Sequence, residues 1–252
     1  MFIDTHCHLT DNYYDSDVDD VIIRAKGAGV GIIVCPTAAP TDIPAAFELA
    51  TTHDNIFATI GIHPEYAGTI IAADFLTNNI LQNPKVIGVG EIGLDYHEFS
   101  ENKKEQIKLF VNQLEIAKSY NLPVAIHTRE AESDTRDILT NEYRGVMHCF
   151  TSSWDLAKTM LDRGFYFSAS GILTFKNAQD VRDTFAKIPN DRIVIETDSP
   201  FCAPVPYRGK KCEPAMVVET ARVLAQIKNL QLDELESILV ENTKKLYSKI
   251  VI

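Results

Sequence analysis

The tightest constraint on this chain is an alternation repeated eight times within 252 residues: a short apolar run of strand character, then a longer amphipathic stretch. The runs are Phe2 to Thr5, Gly31 to Cys35, Ile56 to Ile62, Val86 to Ile92, Pro123 to His127, Val146 to Cys149, Phe165 to Ala169 and Arg192 to Thr197. Between them, apolar residues recur at helical spacing, as in Val18, Val21, Ile22 and Ala25, or Ile107, Phe110, Val111, Leu114 and Ala117. Asp17, Thr41, Ser100 and Ser153 are read as helix caps, and a helix is expected over roughly 72–82. Eight strand–helix units in this length predict an α/β chain closed into a parallel (β/α)₈ barrel, for which ~250 residues is typical. An open doubly wound sheet would satisfy the alternation without naturally bringing distant strand ends to one point. No internal sequence repeat, low-complexity tract or linker interrupts the pattern, so residues 1–252 are expected to form one domain.

The strand ends carry the chemistry. Five of the seven histidines stand where an apolar run stops: His6, His8, His63, His127 and His148. Two acids hold equivalent places, Glu91 after Val86 to Gly90 and Asp198 after Ile193 to Thr197. Residues i and i+2 of a strand share a face, so His6 and His8 can aim at one ion. A carboxylate can bridge two cations where neutral imidazole cannot easily do so. The expected centre places His6, His8 and Asp198 on one divalent ion, His127 and His148 on a second, and Glu91 between them. Such a pair polarises a phosphoryl oxygen and generates hydroxide near neutral pH. Asp198 is the natural proton acceptor and, with Glu91, the expected catalytic carboxylate. His63 is expected to touch substrate. Arg129 and the Tyr207-Arg208-Gly209-Lys210-Lys211 stretch supply positive charge, Arg208 as a fork donor suited to phosphate. His53 and His97 read as surface or loop residues, and Trp154 as helix packing.

Composition narrows the partners. With 24 basic and 35 acidic residues the net charge is -11, which disfavours broad binding to duplex DNA; a nucleic-acid substrate must be gripped by local cations and metal. No apolar run approaches membrane-spanning length, and no obligate protein partner is evident. A strand starting at Phe2 leaves no room for a cleaved export signal. Five cysteines without framework spacing read as free thiols in a reducing cytoplasm.

In order along the chain, Asp4-Thr5-His6-Cys7-His8-Leu9, Gly61-Ile62-His63-Pro64, Gly90-Glu91-Ile92-Gly93-Leu94-Asp95-Tyr96, Ile126-His127-Thr128-Arg129, His148-Cys149-Phe150, Glu196-Thr197-Asp198-Ser199-Pro200 and Pro206-Tyr207-Arg208-Gly209-Lys210 resemble the TatD family of metal-dependent deoxyribonucleases, within the amidohydrolase superfamily. The resemblance implies a distorted TIM barrel holding one or two divalent ions, Mg, Mn or Zn. It also implies hydrolysis of DNA phosphodiesters, commonly as a 3′–5′ exonuclease on single strands. It carries the metal ligands onto His6, His8, Glu91, His127, His148 and Asp198. It sets His63, Arg129, Tyr207 and Arg208 around the scissile phosphate. Two departures stand out: Thr151-Ser152-Ser153 follows Phe150 where Ser or Thr then Gly is usual, and Cys212 replaces a frequent Asn. The alternative on the same scaffold is an amidohydrolase or esterase acting on a small C–N or carboxylic ester substrate, since a fold does not fix its substrate. Imidazole-rich ligation favours zinc or manganese, and phosphoryl chemistry favours magnesium.

Overall fold

The computed structural model describes residues 1–10, 12–14, 17–68 and 74–251. Eight parallel strands follow one another around the sheet in sequence order. They are β1 (Phe2–Asp4), β2 (Val30–Pro36), β3 (Ile56–Thr59), β4 (Val86–Asp95), β5 (Val124–Arg129), β6 (Gly145–Met147), β7 (Tyr166–Ala169) and β8 (Ile193–Ile195). Every neighbouring pair is parallel. Closure between the first and last strands is made by single contacts rather than a long ladder. Thr5 N–H donates to Ile195 O at 3.0 Å, Asp198 N–H to His6 O at 2.9 Å and His8 N–H to Ser199 O at 2.8 Å. The result is a nearly closed, distorted (β/α)₈ barrel.

The helices between strands are α1 (Val18–Gly27), α2 (Ile43–Thr52), α3 (Asn78–Leu81), α4 (Lys103–Ser119), α5 (Glu132–Ile138), α6 (Trp154–Asp162) and α7 (Gln179–Lys187). Two more, α8 (Val217–Lys228) and α9 (Leu232–Leu246), follow the last strand. The helix expected over 72–82 is shorter: its first two positions lie outside the described residues, and α3 makes barely one turn. Asn78 and Asn79 are weak helix formers, and Pro84 disfavours continuation. Of the expected caps only Ser153 acts through its side chain, accepting from Leu156 N–H at 3.3 Å. Asp17 makes no side-chain cap bond, and Thr41 and Ser100 fall in single turns of tighter helix ahead of α2 and α4. Trp154 packs on the core, as expected. No helix among the described residues is long and apolar enough to cross a membrane, and the five cysteines are free.

The barrel interior is stratified. Ile3, Ile32, Val34, Phe57, Ile87, Ala125, Val146 and Val194 form one buried cluster, which Leu246, Tyr247 and Ile250 from the chain's end complete. Stepping by two along a strand keeps to one face. That step leads from Ala125 to His127, from Val146 to His148 and from Val194 to Glu196, whereas β4, whose register shifts against both neighbours, brings Glu91 and Asp95 to the same layer through its irregularities. The same inward face is thus hydrocarbon at one end and ionisable at the C-terminal end, where (β/α)₈ enzymes keep their sites.

Two features hold that upper end. A Cβ on Gly61 would lie 2.7 Å from the Gly90 Cα and carbonyl carbon, so glycine alone lets the two backbones meet. From α4, the buried Gln113 accepts Ile62 N–H at 2.8 Å and donates to Ile62 O at 2.9 Å. Gln106 grips both backbone groups of Asp95 in the same manner, at 2.8 and 2.9 Å. Two polar residues on the inner face of a helix thus replace the ladder where it lapses.

Candidate metal centre

Glu91 sits at the middle of the ionisable layer, only 4% exposed. It stands inside β4 rather than at its end, because that strand runs four residues further to Asp95. Its two oxygens face different partners. Oε2 lies 3.4 Å from His6 Nε2 and 3.5 Å from His8 Nε2. Oε1 lies 2.9 Å from His127 Nδ1, 3.1 Å from His148 Nε2 and 3.9 Å from His63 Nε2. Asp198 Oδ1 completes the first group, 3.6 Å from His8 Nε2 and 3.9 Å from His6 Nε2. Two sets of donors thus have their ligand atoms within 4.8 Å of one another: His6 with His8 and Asp198, and Glu91 with His127 and His148.

The electrostatics follow from this crowding. Burial alone would raise Glu91, but the His148 charge and hydrogen bonds from His127, His148 and His6 hold it well below the usual carboxylate range. Burial likewise pushes Asp198 up, and the His8 hydrogen bond with the His148 and His6 charges outweighs it, leaving the carboxyl lowered. His63 is pushed down to about 3 by burial and then by the His127 charge, so it is neutral at neutral pH. Burial and the neighbouring His148 also lower His6. Its Nε2 is 3.2 Å from His8 Nε2. Two ring nitrogens at that separation, both turned toward carboxylates, form a set of lone pairs that one shared proton satisfies poorly. The donor set therefore fits divalent cations bound by imidazole and carboxylate.

A further layer of acids orients the imidazoles, and its role went unassigned in the sequence. Glu196 Oε1 lies 2.9 Å from His148 Nδ1 and accepts Cys149 N–H at 2.7 Å. Asp95 Oδ2 lies 3.0 Å from His127 Nε2. Burial raises Asp95, but the His127 hydrogen bond and backbone donors bring it down to about 2. Asp4 accepts from Thr197 N–H at 2.9 Å, Thr197 Oγ1 at 2.6 Å and His6 N–H at 3.3 Å, tying the ends of β1 and β8 together. The available signal was the two-residue period: Asp95 is two steps beyond Glu91, and Glu196 one step before Asp198.

The expected substrate residues divide. His63 joins the cluster, its ring centroid 4.6 Å from that of His127. The basic residues do not reach it. Arg129 ends β5, about half exposed, and pairs with Glu98 at 3.2 Å. Arg208 is exposed on the loop after β8, its guanidinium 4.4 Å above the Phe175 ring, and Tyr207 N–H turns back to Pro204 O. Cys212, the departure from the family pattern, is buried; its carbonyl accepts the Tyr14 hydroxyl and its Sγ lies 3.9 Å from Glu213 O. Cys7 is buried and accepts from Ser199 Oγ at 2.9 Å, facing away from the ligands as the alternation requires. His97 pairs with Glu130 at the surface. Beside His8 a cavity of ≈ 390 Å³ opens between Thr10, Ala38, Glu65, Tyr66 and Phe201. Phe201, 51% exposed, stands edge-on to the His8 ring at 6.2 Å and was not singled out by the sequence.

Comparison with known proteins agrees with this geometry. A family model described as TatD related DNase matches residues 3–248. YabD of Bacillus subtilis, described as an uncharacterized metal-dependent hydrolase, is 40% identical across 98% of this chain and 99% of its own length. YcfH of Escherichia coli, described in the same words, is 38% identical across 98% and 96%. Among solved structures, the E. coli TatD homolog YjjV superposes with a TM-score of 0.89 at 29% identity, covering 98% of both chains.

Proposed function

Since this chain belongs to the TatD family and is a metal-dependent hydrolase, we propose that it hydrolyses DNA phosphodiesters, as a 3′–5′ exonuclease on single strands in the cytoplasm. Residues 1–252 act in this reading as one catalytic domain. The observation that carries it is the division of Glu91, one oxygen toward His6 and His8 and the other toward His127 and His148. His6, His8 and Asp198 would hold one ion, His127 and His148 a second, and Glu91 would reach both. Bound there, a magnesium, manganese or zinc ion polarises the phosphoryl oxygen and makes water nucleophilic near neutral pH.

The chain's own groups do the rest. Asp198, held ionised by its histidine neighbours, takes the proton of the attacking water. Glu196 and Asp95 fix the His148 and His127 rings, as partners of ligating imidazoles commonly do. Neutral His63, whose Nδ1 accepts the Glu65 N–H, can donate one hydrogen bond from Nε2 to the substrate beside the centre. Arg129, Tyr207 and Arg208 grip flanking phosphates. Arg208 swings off Phe175 to do so, and the local cations offset a net charge of -11. The exposed Phe201 and the cavity beside His8 offer room and a ring face for a nucleobase.

The alternative, a small-substrate esterase or amidohydrolase, draws support from the same two guanidinium groups, neither of which touches the cluster. The deciding assay follows 3′- and 5′-labelled single-stranded oligonucleotides and a carboxylic ester, with each metal supplied in turn. Shortening from the 3′ end with the ester untouched is expected. Ester cleavage with intact oligonucleotide would favour the alternative.

A further inference from the structure

Asp198 divides its oxygens as Glu91 does, and its second oxygen faces sulfur. Oδ1 is turned to His8 and His6, whereas Oδ2 lies 3.5 Å from Cys202 Sγ. Cys149 Sγ joins from the end of β6, and the three donor atoms lie within 4.8 Å of one another. Cys149 and Cys202 are both partly exposed, so solvent ions can reach them. All three residues adopt left-handed backbone conformations that side chains rarely take, with φ of 41° at Cys149, 59° at Asp198 and 52° at Cys202. Cys149 Sγ also lies 3.1 Å from Ser170 Oγ. The other three cysteines are fully buried and offer no entry.

We propose that Cys149, Cys202 and Asp198 Oδ2 form a thiophilic metal site, taking Zn²⁺ or Cd²⁺, through which such an ion inhibits hydrolysis by drawing Asp198 away from the imidazole cluster. Two thiolates and a carboxylate are a donor set that selects soft divalent ions over magnesium. In a tetrahedral zinc site with Zn–S bonds of ≈ 2.3 Å the ligands stand roughly 3.7 Å apart, so these donors need close by only about an ångström through side-chain rotation. As the two metal–sulfur bonds form, the two thiol protons leave to buffer, and no oxidant is consumed.

Cadmium is the probe, because its ultraviolet thiolate absorption reports sulfur ligation alone while ions held by imidazole or carboxylate lack that band, and inhibition counts toward this site only where it weakens together with the absorption in the Cys202 variants. Titration should raise the ultraviolet thiolate-to-cadmium absorption to saturation at one ion per chain, with hydrolysis falling in step. Loss of an outer partner of a ligand already costs ~10–100-fold in metal affinity, so loss of a ligand sulfur should cost no less. Cys202→Leu and Cys202→Ser should both move the absorption midpoint to at least about 10-fold higher cadmium. Two variants of different polarity guard against a packing defect in one. An unchanged midpoint in the folded variants, or no thiolate absorption in the native protein, overturns the site. The inhibition, unlike the absorption, rests on the proposed role of Asp198. Saturating absorption that shifts in the variants while native hydrolysis continues would support the site and count against that role.

Discussion

Glu196 tests whether the acids behind the imidazoles matter as much as the imidazoles. Its side chain is 1% exposed, and one oxygen serves both the His148 ring and the Cys149 backbone. Glu196→Gln keeps an oxygen in place to accept the Cys149 N–H and stand beside His148 Nδ1, but removes the negative charge that makes His148 a stronger donor to metal. Partners of this kind are worth ~10–100-fold in metal affinity, or about 1.4–2.8 kcal/mol. The expected outcome is a 10- to 100-fold rise in the metal concentration giving half-maximal hydrolysis, with turnover at saturating metal within a few-fold of native. Glu196→Ala goes further, because the Cys149 N–H then loses its acceptor, adding ~1–3 kcal/mol of lost folding stability in metal-free protein. Metal titration of hydrolysis, calorimetric binding and urea unfolding separate the effects. Native metal affinity in Glu196→Gln would refute the orienting role. Turnover lost even at saturating metal would move Glu196 into the chemistry itself.

Three further outcomes are expected. Asp198→Asn should lower turnover by ~10²-fold or more at saturating metal while the chain still binds metal, measured by steady-state kinetics beside calorimetry; near-native turnover would remove Asp198 as proton acceptor. Arg208→Ala should raise KM for single-stranded oligonucleotides more than for a small activated phosphodiester, and make the salt dependence of DNA binding shallower by at most about one unit of slope. Gln113→Ala should cost ~2–4 kcal/mol in urea unfolding, because it strands both the N–H and the carbonyl of Ile62.

The fold was legible because a parallel barrel writes itself as apolar runs at regular intervals, and each of the eight expected runs overlaps an observed strand. The edges were less so. β4 runs to Asp95 because β5 pairs with it as far as Arg129, while Gln106 of α4 satisfies the remaining backbone groups of Asp95, a tertiary arrangement without a local signature. β3 stops at Thr59, where Thr37 and Gln113 take over from the ladder: Thr37 Oγ1 accepts Gly61 N–H at 2.9 Å and Gln113 holds Ile62. Helix caps failed more often than they succeeded because tighter turns precede α2 and α4, moving each start past the candidate cap.

In the cluster, histidine was the easier signal. Imidazoles are scarce and their placement at strand ends is conspicuous, whereas 35 acidic residues hide the four or five that matter. Asp4, Asp95 and Glu196 each lie within one or two strand steps of an expected ligand, yet periodicity alone cannot separate a ligand from the acid that orients one. Burial can. A carboxylate excluded from water is tolerated only with partners, so a buried acid within reach of a ring nitrogen or several N–H groups identifies itself by its surroundings. The basic residues show the converse. Arg129 and Arg208 are exposed and already engaged, one by Glu98 and the other by the face of Phe175. A guanidinium held only by an exposed carboxylate or a ring surface gives up about 1 kcal/mol on leaving. A substrate phosphate, offering charge-assisted hydrogen bonds, can outcompete either partner, which is why the resting positions of these two side chains leave a phosphate-binding role open to the Arg208→Ala test.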